Sequence, residues 1–466
     1  MPKALWIAAF LLVGAPALAQ TSAPTTHPPY VQLLREVYKE LIEINTTDSV
    51  GDNTKAAEAM AARLKAAGFP EADLQVLGPA PRKGNLVARL RGTGARKPIL
   101  LLAHLDVVEA KREDWEHDPF VLREENGLFT ARGSIDDKSM AAIFVTNLIR
   151  YKQEGFVPDR DLILALTSDE EGGQHNGVRW LLDQHRALID AAFAINEGGG
   201  GSLRNGKAFR NHVQASEKIV ANFRLTTKNV GGHSSLPVKD NAITRLAAGL
   251  VRLGAFDFPV HLSEVTSLWF ERVAAIESPE TAAAMRAVLA TPPDPDAVAR
   301  LSKSAGYNAQ LRTTCVATLI NGGHAGNALP QTASALVNCR VLPQDSIEEV
   351  HQTLVRVLAD DQIAVTMVNT PRPSPPSPLT TEFMGAVERV TAEMWPGIPV
   401  IPAMSTGATD SLYLRNAGIA AYGTSGIMVD PADYRAHGLN ERVPVQSLYE
   451  GQAYLYRLVK LLASND

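Results

Sequence analysis

Apolar runs of six or seven residues alternate with helix-period segments through the first 200 residues of the chain. Residues 84–90, 97–103 and 161–167 predict strands, 140–151 and 177–188 helices, and 192–195 a further short strand. This β-then-α rhythm predicts an α/β layered domain with a mainly parallel sheet. In such domains chemistry is sought at the polar ends of the strands.

The rhythm changes near residue 216. Strand 219–227, helix 242–253, strands 313–320 and 334–342, helix 347–358 and strand 363–368 follow the β-α-β-β-α-β order of a ferredoxin-like α+β unit. Residues 255–310, with Ala-rich helical stretches and a Pro-Pro-Asp-Pro segment, read as an insertion into that unit. A stiff proline-rich connector at 371–378 precedes a helix at 383–394, and the last strands and helix must return to the first domain. The expected organisation is therefore an α/β domain split into 30–215 and 371–466 around a second domain at 216–370.

With 466 residues, 45% hydrophobic and 20% charged, the chain has the composition of a folded globular protein. A net charge of −5 leaves no basic footprint for nucleic acid or an anionic membrane. Lys3, the apolar run 4–13 and Ala17-Leu18-Ala19 form the pattern of a signal peptide at 1–19, followed by a Thr-, Ser- and Pro-rich linker at 20–29. The run is too short for the ~20 apolar residues of a membrane span. A periplasmic or secreted protein is expected. Cys315 and Cys339 lie in two strand-like runs whose midpoint, residue 327, falls in a Gly-rich loop, so the two can face each other. A disulfide and two buried thiols both remain open, because pairing register is not fixed by sequence.

Five places put acids or histidines at the ends of apolar runs or near the C-terminus: His104-Leu105-Asp106, Gly133-Ser134-Ile135-Asp136-Asp137-Lys138, Ser168-Asp169-Glu170-Glu171, Asn196-Glu197, and His437-Gly438-Leu439-Asn440-Glu441. Any one of them alone is more often a helix cap or a solvated loop. Brought to one sheet edge, such carboxylates repel and must take up protons or cations. Histidine with carboxylate suits zinc, with cobalt or manganese as substitutes. Two His, two Glu and a shared Asp are enough for two metals ~3.5–4 Å apart, which together polarise a carbonyl and activate water.

In this order, and with Gly232-His233-Ser234-Ser235 following, these segments resemble the peptidase M20 family of di-zinc metallohydrolases. The Thr-Gly-Ala-Thr-Asp-Ser run at 406–411 and the long insertion are most similar to the carboxypeptidase S and N-acyl-amino-acid hydrolase branch. The resemblance implies a zinc-exopeptidase-like catalytic domain carrying a lid and dimerisation domain. It implies that His104 and Glu197 hold one zinc, that Glu171 and His437 hold the other, and that Asp136 bridges them, with Asp137 fixing the turn. It further implies that Asp106 orients the His104 imidazole and that Glu170 is the general base. His233 would donate to the oxyanion, from the same chain or a partner subunit. Arg340 would grip a substrate carboxylate, and Asn327 and Thr409 would position substrate. Asp410 reads most simply as a loop cap.

The function implied is hydrolysis of a peptide or N-acyl amide bond next to a free α-carboxylate, by an exported carboxypeptidase, dipeptidase or aminoacylase. An aminopeptidase on a similar di-zinc site and a non-catalytic peptide-binding protein are the rival readings. Small peptides or N-acyl amino acids are the expected partners, with a homodimer through the lid.

Overall fold

The protein is described by a computed structural model covering residues 29–464. The signal peptide at 1–19 lies outside these residues, as does the linker at 20–29 except Pro29, which opens the helix Pro29–Glu43.

Strands Leu162–Thr167, Ile99–His104, Phe193–Asn196 and Ala420–Gly423 run parallel, side by side, at the centre of a ten-stranded sheet. Alternate residues serve two cores. Leu101, Ala103 and Leu164 pack beneath the helices Pro29–Glu43, Lys138–Gln153, Thr381–Met394 and Val445–Leu462. Leu100, Leu102 and Ile163 face Val178, Leu181, Ile189 and Leu414 on the opposite side. Burial on both faces is why these strands read as unbroken apolar runs. The flanks are antiparallel: Asn85–Leu90 and Leu74–Leu77 on one side, the hairpin Gly201–Arg204 and Lys207–Glu217 on the other. The expected helix 177–188 is broken at His185 into Gly177–Gln184 and Arg186–Ile189.

A second sheet has the order Thr314–Gly322, Thr332–Val341, Ile219–Lys228, Ile363–Met367, antiparallel throughout. The helices Ala242–Gly254 and Ile347–Leu358 cover one face of it, through Leu246, Leu253, Val350 and Leu354 against Phe223 and Val337. This is the ferredoxin-like connectivity. Cys315 stands directly opposite Cys339, and the two are joined by a disulfide. Closing a loop of this length in the unfolded chain is worth about 3 kcal/mol. Cys315→Ser/Cys339→Ser protein should therefore unfold at lower urea, by about 2–4 kcal/mol on linear extrapolation.

The insertion folds as the helices Glu264–Ala274, Pro279–Ala287, Pro295–Leu301 and Ala305–Leu311 around Trp269, Phe270, Met285 and Leu311. It does not extend the ferredoxin-like core in whose sequence it lies. Its core includes Ile401, and Arg272 and Gln310 donate to the carbonyls of Val400 (2.7 Å) and Met404 (3.0 Å), so it is fastened to the strand Val400–Ser405 of the large sheet. Among the described residues no helix is long and apolar enough to cross a membrane.

Candidate metal centre

His104 ends its strand almost fully buried, its Nε2 3.0 Å from Asp136 Oδ1 and 3.9 Å from Glu197 Oε2. From the C-terminal loop, His437 brings its Nε2 to 3.1 Å from Asp136 Oδ2 and 2.9 Å from Glu171. Asp136 thus stands between two imidazoles, each of which also faces a glutamate. Ligating atoms of His104, Asp136 and Glu171 lie within 4.8 Å of one another, as do those of His104, Glu170 and Glu197. Parallel strands explain the gathering: His104, Glu170, Glu171 and Glu197 all follow the carboxyl ends of neighbouring strands.

Charge is unevenly held here. Burial, reinforced by neighbouring carboxylates, pushes the carboxyls of Glu170, Glu197 and Asp137 well above their usual range. Asp136 is lowered in spite of its burial, because His104 and His437 hydrogen-bond to it. Those same contacts raise both imidazoles, His437 to about 10 through Asp136 and Glu171. A donor set of this kind holds its negative charge only with protons or cations. Two imidazoles and three carboxylates from five separated segments fit a divalent transition metal pair.

The surrounding contacts fix the donors. The Asp106 carboxylate accepts from the backbone N–H of Glu170 (3.1 Å) and of Glu171 (2.9 Å), so it positions both glutamates. It lies 3.6 Å from His104 Nδ1, while the Asp106 carbonyl is nearer, at 2.9 Å. The Asp136–Asp137 peptide bond is cis.

The sequence shows Glu441 only as an acid after His437 and assigns it no role. In the structure it is fully buried and accepts from the N–H groups of Gly133 (3.0 Å), Ile135 (2.8 Å) and Asp136 (3.1 Å) and from Arg132 Nη1 (2.7 Å). Arg132 also donates to the Gly438 carbonyl at 3.2 Å. The pair clamps the loop carrying His437 to the turn carrying Asp136. Glu441→Ala leaves a buried guanidinium without its counter-charge and three N–H groups unpaired, so a loss of about 3–5 kcal/mol is expected in urea unfolding.

The remaining candidates lie elsewhere. His233 and Asn327 are neighbours on an exposed two-stranded ribbon, where Gly232–His233 pairs with Ala328–Leu329 and Ser234 N donates to the Asn327 carbonyl. The His233 Nδ1 accepts from Ser235 N at 3.1 Å. Arg340 is part-buried on Thr332–Val341, with Nε 3.3 Å from Asn338 Oδ1. Thr409 turns inward and donates to buried Glu217 at 2.9 Å, which takes its hydroxyl away from a substrate-facing position. Asp410 stands at a helix N-cap but makes no side-chain cap. Its carboxylate accepts from Asn176 at 2.6 Å, and burial pushes it up to about 7. The loop-cap reading is therefore corrected: the helix start beneath Asp410 leaves its side chain facing inward, toward the Asn176 amide.

Residues 100–461 match peptidase family M20/M25/M40. The N-fatty-acyl-amino acid synthase/hydrolase of Homo sapiens is 29% identical over 376 residues, covering 78% of this chain and 74% of the relative. A solved M20 family metallo-carboxypeptidase, Sso-CP2 from Sulfolobus solfataricus, superposes with a TM-score of 0.68 at 17% identity, over 92% of this chain and 99% of that one. The YXEP protein of Bacillus subtilis, described as a dinuclear metal binding peptidase of the M20 family, gives a TM-score of 0.59 at 13% identity, over 93% and 98%. The family match spans well over half of the sequence and coincides with the His, Asp and Glu cluster at the strand ends: the chain belongs to peptidase family M20/M25/M40 and is a metal-dependent hydrolase.

Proposed function

We propose that this protein is an exported, zinc-dependent hydrolase that cleaves a peptide or N-acyl amide bond beside a free α-carboxylate. The observation that carries the reading is the Asp136 carboxylate set between His104 and His437, with Glu171, Glu197 and Glu170 around them. His104 and Glu197 would hold one zinc, Glu171 and His437 the other, and Asp136 both. When bound, such a pair supplies Lewis acidity to the amide carbonyl and to water. Glu170, unpaired with either imidazole at hydrogen-bonding distance, takes the proton from the attacking water and delivers it to the leaving nitrogen. The hydrolase named in the human relative and the carboxypeptidase named in the Sulfolobus structure support this amide chemistry.

The ferredoxin-like unit is proposed as a lid that brings Arg340 to the substrate carboxylate and His233, with Asn327, to the oxyanion. A homodimer through this unit is part of the proposal. Its outer strand Thr314–Gly322 leaves Val316, Leu319 and Ile320 exposed, an apolar edge suited to a second copy. The Cys315–Cys339 disulfide supports export to an oxidising compartment.

The test compares an N-acetyl amino acid with the same compound carrying a carboxamide, using zinc-loaded protein. Hydrolysis of the acid alone is expected; equal hydrolysis of both refutes carboxylate recognition, and an absolute need for a free N-terminal amine refutes the reading as a whole. Arg340→Ala should raise KM for the acid roughly 10- to 100-fold, the worth of a charged hydrogen bond, with kcat less affected. Fractionation of the producing cells checks export.

A further inference from the structure

A cavity of about 240 Å³ opens against the candidate metal centre, entirely within the large α/β unit. Asp136 and Glu197 line it together with the apolar side chains of Met140, Ile427 and Val429, the imidazole of His212 and Tyr434. The run Gly198-Gly199-Gly200-Gly201 that follows Glu197 also lines it. These glycines differ in what they do. A Cβ at 198, 199 or 201 would lie within about 2 Å of Gln214 Oε1, the Gly423 carbonyl or Met428 Sδ, so there the missing side chain lets the loop pack on its neighbours. At Gly200 a Cβ would meet Ser425 Oγ at 2.7 Å and the Ile427 carbonyl at 3.1 Å, both from residues that line the cavity. Of the four lining glycines, position 200 is the least tightly blocked, so it is the one where a side chain, with a small shift of the Ser425 hydroxyl, takes up room beside the cavity.

Resting on the reading of the site given above, we infer that this cavity receives the acyl half of the scissile amide, and that Gly200 and Val429 set the length of acyl group it admits. The amide has two halves, and the lining decides between them. None of the described lining residues is Lys or Arg, and burial holds the one lining imidazole, His212, well below its usual range, so a carboxylate placed here would lose its water and meet no cation. An apolar acyl stem meets Met140, Ile427 and Val429 and gains from burial. The volume falls below the roughly 300 Å³ at which drug-sized ligand pockets begin. A short acyl chain or one amino-acid side chain fills it, and a long chain must extend beyond it.

The experiment is a kcat/KM series over N-acetyl, N-butyryl, N-hexanoyl and N-palmitoyl derivatives of one amino acid, with zinc-loaded wild-type protein, Gly200→Leu and Val429→Ala. For wild type the value should climb by roughly fourfold per buried methylene across the short members and then level off before palmitoyl. Gly200→Leu should lower the hexanoyl-to-acetyl ratio at least tenfold. Val429→Ala, which only removes atoms, should move the levelling point to longer chains and serves if Gly200→Leu does not fold. Unchanged ratios in a folded variant, or a rise that continues undiminished to palmitoyl, overturn the pocket assignment while leaving amide hydrolysis standing. If wild type cleaves no member of the series and no dipeptide, the functional reading itself fails, and the pocket assignment with it.

Discussion

Glu170→Gln protein is expected to lose roughly 100- to 10,000-fold in kcat while keeping its full complement of metal, the usual contribution of a positioned acid–base group. The neighbouring change, Glu171→Gln, should instead lose metal. The contrast follows from where the two adjacent glutamates are held. Asp106 accepts from both backbone N–H groups, one per carboxylate oxygen, so the pair is fixed as a unit. From that anchor Glu171 reaches His437 at 2.9 Å, within the ligand cluster. Glu170 is pushed well above its ordinary range by burial, with Asp410, Glu171 and Asp106 adding to the effect. An elevated carboxyl next to a site for activated water is suited to carry a proton in both directions. Metal content by elemental analysis and kcat on one N-acyl amino acid, measured for the two variants together, check the split. Near-full kcat for Glu170→Gln would assign the base elsewhere; loss of metal would make Glu170 a ligand.

The parts of the molecule legible in the sequence share a physical cause. Strands such as Ile99–His104 and Leu162–Thr167 are buried on both faces and so appear as apolar runs, each ending at a polar residue on the same edge. The inner ferredoxin-like strands Ile219–Lys228 and Thr332–Val341 show one-sided burial, and their burial alternates residue by residue. The hairpin Gly201–Arg204/Lys207–Glu217 escaped a reading based on apolar runs. Its signal was present in Asn205-Gly206, both at positive φ, the pairing favoured in a two-residue turn. The clamp between Arg132 and Glu441 joins positions far apart in the chain, and no local pattern announces such a contact. The docking of the insertion on Val400–Ser405 is hidden for the same reason, since its helices have an apolar stripe whatever surface it meets. Thr409 and Asp410 show a different gap. Loop polarity says that a side chain is polar, and only the fold says whether it faces substrate or a buried partner such as Glu217 or Asn176.

Asp136→Ala should cost more than any other single change, abolishing measurable turnover and weakening both metals together. Losing the Lewis acid alone removes several kcal/mol of transition-state stabilisation, about 1000-fold or more in rate. Among the described residues Asp136 is the one carboxylate within 3.1 Å of both imidazoles, so no neighbouring acid compensates for it beside either. The same geometry fixes the pH dependence of metal binding. A ligating imidazole must be neutral and a ligating carboxylate ionised. In metal-free protein the contact with Asp136 and Glu171 raises His437 to about 10, so it carries a proton at neutral pH that a metal must displace, and burial pushes Glu197 in the same direction. Zinc binding to stripped wild type should therefore release protons and tighten as pH rises from 6 toward 8. Calorimetry in two buffers of different ionisation enthalpy measures that release directly. Metal at about 100 times its Kd should add roughly 2.7 kcal/mol to the stability of wild type, and little to Asp136→Ala. A variant that still bound two metals with wild-type affinity would show that Asp136 does not join them.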